Sequence, residues 1–305
     1  MKISKKKLRR ELPLYLMAVP ALTYLFINNY MPLPGMVLAF KRYNARDGIW
    51  GSAWAGFDNF KYLFSTSDAF VITRNTVLYN VAFILLNMVL GVFTAILISN
   101  LRAKKISNFY QALILLPHMI SSVILSYIVY AFLGVESGLI NKGILNPLGA
   151  ESISWYTEKQ FWPVILIIVN CWKSIGFNTI LYLSSIVGID GSLYEAAAID
   201  GAKTIQKIRY ITLPLLKPTV IMLLLLSVGR IFNSDFGLFY QVPMNSGPLY
   251  SVTNTIDTYV YRGLIELGTL TQSAAAGVYQ SVVGFVLILS ANLFVRKMDK
   301  DSALF

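Results

Sequence analysis

Four polar side chains interrupt an oily stretch: Asn170, Lys173, Ser174 and Asn178, all within Phe161 to Ile189. Offsets of three, four and eight residues place them on one face of a helix. Polar groups at membrane depth mark a pathway, because hydrocarbon penalises them elsewhere. Lys173 lies about 12 residues, or roughly 18 Å, from the outer end of this stretch, near the bilayer midplane. Two readings of Lys173 stand: a donor to a hydroxyl or acid group of a cargo, or a tie between helices. Trp172 and Phe177 on the same stretch could stack on the C–H face of a pyranose, or pack against core or lipid. Further along, "RIFNSDFGLFYQ" offers Arg230, Asn233, Ser234 and Asp235. Arg230 and Asp235 either pair with each other or meet an arriving solute. His118, Ser122, Ser126 and Tyr130 recur every four residues, as a second pathway stripe or as a close-packing face.

Other chemistries have little to work with. The chain has one histidine, His118, and one cysteine, Cys171, so an intramolecular disulfide is excluded and a metal site is an expected absence. Nothing matches the phosphate-cradling G-x-x-x-x-G-K-[ST] loop. An ATP- and Mg-binding site is therefore not expected in this chain, nor any cofactor, nor enzymatic activity of its own.

Six apolar runs must position these residues. The chain has 305 residues, 56% hydrophobic and 13% charged, where a soluble domain has about 25% charged residues. A crossing helix needs about 20 mostly apolar residues. The expected spans are Leu12 to Phe40, Thr76 to Ser99, Ser107 to Leu133, Phe161 to Ile189, Leu215 to about Phe236, and Leu267 to Val295. The first is too long for a signal h-region and reads as an uncleaved span. Basic residues set orientation. Lys2, Lys5, Lys6, Lys7, Arg9 and Arg10 fill the N-terminal tail, Arg102, Lys104 and Lys105 the second-to-third connection. Lys203, Lys207, Arg209 and Lys217 fill the fourth-to-fifth, and Arg296, Lys297 and Lys300 the C-terminal tail. These outnumber the basic residues of the opposite side, so this side is expected to be cytoplasmic, with both termini inside a multi-pass cell-membrane protein. The net charge of +11 follows these flanks rather than one soluble face, which speaks against a nucleic-acid partner. Lys41 to Asn75, with Trp50 and Trp54, and Gly134 to Gln160, with Trp155, are expected as folded outer loops with interfacial aromatics.

One inner connection is a structured, charged element: "LYEAAAIDGAKTIQKIRYITLPLLKP", residues 193 to 218. Good helix formers surround Gly201, Ser192 with Glu195 fits a capping box, and Pro214 fits a helix start. This predicts a short helix, a bend at Gly201, a second short helix and re-entry. Physical reasoning leaves a docking surface and a merely solvated loop about equally supported.

The same stretch resembles the permease subunits of type I ABC importers. It matches their Glu-Ala-Ala, three residues, Gly, nine residues, Ile, one residue, Leu-Pro pattern at Glu195, Ala196, Ala197, Gly201, Ile211, Leu213 and Pro214, with Asp200 just before the glycine. "WAGFDNFKYLF" and "MPLPGMVLAFKRYNARDGIWGS" are similar to stretches of carbohydrate permeases of the maltose-importer and polysaccharide-permease kinds. "MNSGP" resembles their Asn-Gly-Gly-Pro, with Ser246 in place of the first glycine.

The resemblance implies an all-α membrane fold of six spans, a type I ABC importer permease. Residues 1–75 would hold the tail, first helix and outer loop, 76–296 a five-helix core with the coupling loop at 190–214, and 297–305 the inner tail. It implies a half-pathway for an oligosaccharide, with a polyol or glycerol-phosphate-like solute as the other cargo. Implied partners are a second permease subunit of a different sequence, a cytoplasmic ATPase dimer that binds ATP and Mg, an extracellular substrate-binding protein, and lipid. A stand-alone secondary transporter would want a carboxylate relay, but spans one to four and six hold no Asp or Glu. An integral-membrane enzyme would want clustered His, Cys or carboxylates, but His118 stands alone.

Overall fold

The computed structural model describes residues 5–298 apart from Arg102. Lys2, Lys300 and most of the expected 297–305 tail lie outside the described residues. The described chain is helical but for one two-stranded hairpin. Four helices are long and apolar enough to cross a bilayer: Ser67–Ser99, Trp162–Val187, Thr204–Val228 and, over its apolar length, Leu270–Met298. The pair Lys104–Met119 and Ser122–Leu133 is apolar enough only when taken together, and is bent by 95° at its break. The first expected span is a helix Lys5–Leu25 followed by a π turn, Phe26–Tyr30. Its Lys- and Arg-rich opening leads into the uncharged stretch Leu12 to Tyr30. Its described side chains from Leu12 to Pro34 are exposed.

Burial is inverted relative to a soluble domain. Only 22% of the apolar window of Ser67–Ser99 and 6% of that of Leu270–Met298 is buried inside the chain. The remaining apolar surface is suited to lipid or to other spans.

Interhelical contacts rest on small and hydroxylic residues, as expected where lipid removes the hydrophobic drive between helices. Trp162–Val187 is the hub. A Cβ at Gly176 would overlap the Ile114 carbonyl oxygen of Lys104–Met119, so only glycine permits that approach. On Ser67–Ser99, Gly91 faces Asn178 and Tyr182, and Thr94 shares a 2.9 Å hydrogen bond with Thr179.

Two expected spans are interrupted. The third breaks at Ile120 and Ser121 with a bend of 95°. Pro117 lacks the N–H that would bond one turn back, and Ile120 and Ser121 turn extended. Ser121 Oγ then caps the next helix by accepting from Ile124 N at 3.3 Å. The stripe His118, Ser122, Ser126, Tyr130 is thus divided between two helices. The fifth span ends at Val228, earlier than the expected Phe236, and an irregular stretch follows. Its start also differs. The helix runs unbroken from Thr204 through a π turn, Ile208–Thr212, so Pro214 falls inside it rather than at its beginning. The π turn widens the ladder just ahead of Pro214, where a donor is missing.

The segment before Ser67–Ser99 is built from the hairpin Lys41–Arg42 with Ala53–Trp54 and the helix Asp58–Ser65. Buried Asn59 holds them together, donating Nδ2 to the carbonyls of Ala39 at 2.9 Å and Lys41 at 3.0 Å. Trp54 receives the Lys41 ammonium over its ring at 5.2 Å. Arg42 hydrogen-bonds Asp58 and holds that carboxyl below its usual range. The connection 134–160 closes around buried Asn141, whose Oδ1 accepts from Ile153 N and Trp155 Nε1.

Candidate functional site

A cavity of about 520 Å³ opens between Ser67–Ser99, Trp162–Val187 and the end of Thr204–Val228. Amides supply most of its polar wall: Asn80, Asn87, Asn170, Asn178 and Asn233, joined by Ser174 and Ser227. Phe83, Phe177 and Tyr182 supply aromatic surface. His118 stacks on Phe177, centroids 4.9 Å apart and planes 13° apart. Asn87 donates to Asn170 Oδ1 at 2.9 Å, while its own Oδ1 is buried without a partner.

The irregular stretch after Val228 forms the wall that carries Arg230, Asn233 and Asp235. Non-helical backbone at membrane depth needs other partners for its carbonyls. Three elements supply hydrogen-bond partners to this stretch. Asn80 Nδ2 donates to Ile231 O at 2.9 Å and Asn233 O at 3.1 Å. Gln280 Nε2 donates to Phe232 O at 2.7 Å. Asp257 accepts from Ser234 N at 2.7 Å and Ser234 Oγ at 2.8 Å. These ties let the wall stay irregular.

Lys173 fixes that wall to the fourth span. Its Nζ lies 3.6 Å from Asp235 Oδ2 and donates to Ser122 Oγ at 3.1 Å. Asp235 therefore pairs with Lys173 rather than with Arg230. The fourth span, the break of the third and the break after the fifth meet at this point. At the same place Gly237 leaves room for Ser122, which a Cβ would overlap.

At one end of the bundle, the charged connection folds as two short helices. Gly191–Ile199 is capped by Asp190, whose Oδ1 accepts from Ser192 N at 2.9 Å. The expected Ser192 cap is thus displaced by its acidic neighbour, and that hydrogen bond lowers the Asp190 carboxyl pKa. Gly201 adopts φ +75°, with Ala202 N bonding Ala197 O and Gly201 N bonding Ala198 O. This is the Schellman termination that favours glycine. Nothing lies within 4 Å of a Cβ built there, so backbone conformation alone requires the glycine within this chain. The next helix starts with Lys203 N donating to Gln206 Oε1 at 2.7 Å. Tyr194 OH and Thr212 Oγ1, 2.9 Å apart, tie the first short helix to the base of the fifth span. Glu195, Ala196, Asp200, Gly201, Leu213 and Pro214 are exposed, while Ala197 and Ile211 are half-buried. Ile199 at 86%, Ile205 at 76% and Tyr210 at 67% exposure leave an uncovered apolar row beside them.

Residues 87–300 match the family of binding-protein-dependent transport system inner membrane components. The chain belongs to that family. Protein LplB of Bacillus subtilis (strain 168) is 35% identical over 294 residues, covering 96% of this chain and 92% of LplB. The polygalacturonan/rhamnogalacturonan transport system permease protein YteP of the same strain is 32% identical over 295 residues, covering 97% and 91%. The crystal structure of a bacterial ABC transporter involved in import of the acidic polysaccharide alginate superposes with a TM-score of 0.86 at 31% identity, covering 96% of this chain and 98% of that one. A second structure of an alginate ABC transporter, in complex with an alginate pentasaccharide-bound periplasmic protein, gives 0.85 at 31% identity, covering 97% and 98%. The chain is thus a membrane-embedded transport component with a type I ABC importer permease fold.

Within this permease, Asn170, Phe177, Asn178, Asn233 and Asp235 line the cavity, and Lys173 braces its wall. Trp172 is placed elsewhere, in an apolar groove with Leu125, Ile128, Phe132 and Ile168. Sequence reading passed over Asn80 and Asn87, seven residues apart on the second span. Their signal was the one used for the fourth span, amides recurring on one face of an apolar helix. The family-like "MNSGP" is a scaffold. Asn245, at φ +47°, accepts from buried Arg262 Nε at 2.7 Å and from Tyr250 OH at 3.0 Å. Ser246, standing where glycine is usual, has φ −69°, which any residue adopts, and its Oγ donates to Tyr156 O at 2.8 Å.

Proposed function

We propose that this chain is one membrane half of an ATP-driven importer and passes an oligosaccharide through its amide-lined cavity. The observation that carries the reading is that cavity. Its five asparagines and two serines present mixed donors and acceptors beside aromatic faces, at a volume within the usual range for a ligand site of about 300–1,000 Å³. Hydroxyl-rich rings need both kinds of surface. Phe177 offers a face for the C–H side of a sugar ring, and the wall asparagines offer amide donors and acceptors.

The cargo arrives from an extracellular binding protein, a reading supported by the periplasmic protein bound in the alginate transporter's crystal structure. A second permease subunit completes the pathway. The two-helix loop faces the cytoplasm and docks into a groove of an ATPase dimer, which supplies ATP and Mg. Glu195, Ala196, Ala197, Asp200 and Gly201 form the docking helix and its stop. Ile211, Leu213 and Pro214 join it to the fifth span. Because Tyr194 is bonded to Thr212 at the base of that span, displacement of the docking helix is passed on to the cavity wall. Movement of rigid spans then exchanges outward for inward access.

The test is reconstitution in liposomes of the permease pair, ATPase and binding protein, with labelled oligosaccharide outside. ATP-dependent accumulation is expected, with loss of uptake but retention of the ATPase in Asn170→Leu. Uptake that continues without ATP, or a solubilised permease that never retains an ATPase, would overturn the reading.

A further inference from the structure

The cavity holds an unbalanced positive charge. Among the described residues, Asp235 is the one carboxylate on its wall, and the Lys173 ammonium answers it. Arg230 also lines the cavity, and its guanidinium has no hydrogen-bond or ion-pair partner among the described residues. His118 is occupied by its stack on Phe177 and brings no negative charge. The other polar groups of the wall are neutral amides and hydroxyls. Arg230 is exposed, so water answers its charge in the cavity, and an anionic cargo would take the place of that water. Its planar fork suits a two-oxygen anion better than a single hydroxyl.

The Lys173–Asp235 contact adds a second feature. At 3.6 Å it is longer than a charge-assisted hydrogen bond, while the same ammonium reaches Ser122 at 3.1 Å. The pair is neutral and loose, so it leaves Arg230 uncompensated.

We propose that Arg230 is a specificity-determining residue that pairs with a carboxylate of the cargo, so that the oligosaccharide carried is an acidic one bearing uronic-acid units. This rests on the importer reading above and deepens it. A neutral sugar offers Arg230 hydroxyl oxygens only, whereas a uronate offers a carboxylate that supplies the missing negative charge. The amide wall and Phe177 would serve either kind of ring, so Arg230 is the discriminating element.

The test uses the complete reconstituted assembly. The probes are short galacturonate oligosaccharides and the same oligosaccharides with their carboxyls methyl-esterified, which keeps ring and hydroxyls but removes the charge. Wild type is expected to take up the acidic set faster. Arg230→Gln is expected to lower the acidic-to-esterified rate ratio about tenfold, equivalent to about 1.4 kcal/mol. Arg230→Lys, which keeps the charge, is expected to retain most of the ratio. The same binding protein serves every variant, so a ratio that changes with the permease alone cannot originate in delivery. Equal handling of both sets by wild type, or a proportional fall of both in Arg230→Gln, would overturn the proposal while leaving import intact. The proportional fall would make Arg230 a contact to the second permease. ATP hydrolysis with no uptake of any sugar would overturn the importer reading itself.

Discussion

Lys173→Met removes a charge at the junction of three interrupted or crossing helices while keeping most of the side-chain volume. The Lys173 Nζ is 3.6 Å from Asp235 and 3.1 Å from Ser122 Oγ. Two unit charges at that separation attract by about 1 kcal/mol in bulk water and about 5 kcal/mol at an effective dielectric of about 20. The Lys173 side chain is 16% exposed and the Asp235 side chain 43% exposed, so cavity water screens the carboxylate end. That places the coupling in the lower half of the range, about 2 kcal/mol. A cycle of Lys173→Met, Asp235→Asn and the double variant measures it, using unfolding free energies of the solubilised protein in mixed micelles. Each single variant leaves one charge without its partner, so the double variant should be less destabilised than the sum of the singles. Additivity within about 0.5 kcal/mol would refute an effective ion pair. Uptake measured on the same variants separates the two readings of Lys173. Recovery of both stability and uptake in the double variant makes the pair a tie between helices. Recovery of stability without uptake makes Lys173 a group that acts on the cargo.

Gly201→Asp forces a side chain into the left-handed region at φ +75°, at about 1–2 kcal/mol. The first short helix should lose its stop, and hydrolysis in the reconstituted assembly should uncouple from uptake while membrane insertion continues. Unchanged coupling would count against docking. Asn80→Leu removes the donor to the carbonyls of Ile231 and Asn233, each unsatisfied group costing about 1–3 kcal/mol. Lower stability of the solubilised protein and faster proteolysis near residues 229–235 are expected, and unaltered cleavage would argue that Asn80 does not hold that wall. Gly176→Ala should fail to assemble, because its Cβ overlaps the Ile114 carbonyl, whereas Gly247→Ala meets open space and should be tolerated. Comparison of the two by membrane yield checks the packing at that crossing.

Much of this permease was legible from residue order. The long apolar helices, the charged connection between Trp162–Val187 and Thr204–Val228 and the bend at Gly201 depend on local composition and local backbone preference. The crossing at residues 161–189 was expected within two residues at each end, because an uninterrupted apolar helix satisfies its own backbone and needs no distant partner. Where a span departs from regular helix, hydropathy is silent. The stretch Ser107 to Leu133 is uncharged throughout apart from His118, yet turns by 95° after Pro117. Arg230 to Asp235 reads as the end of a helix, yet is irregular chain.

The apolar runs, the amides and the glycine at position 201 thus determined by themselves that this is a membrane chain with a polar helical face and a short charged helix that stops at that glycine. Tertiary structure alone decided that Asp235 answers Lys173 rather than Arg230, that Asn80 holds the cavity wall and that Trp172 stands apart from it. The physical reason is the range of the forces involved. Helix propensity and transfer into lipid act within a few residues. A broken span must find hydrogen-bond partners wherever the fold brings them, here from residues about 20 to 150 positions away.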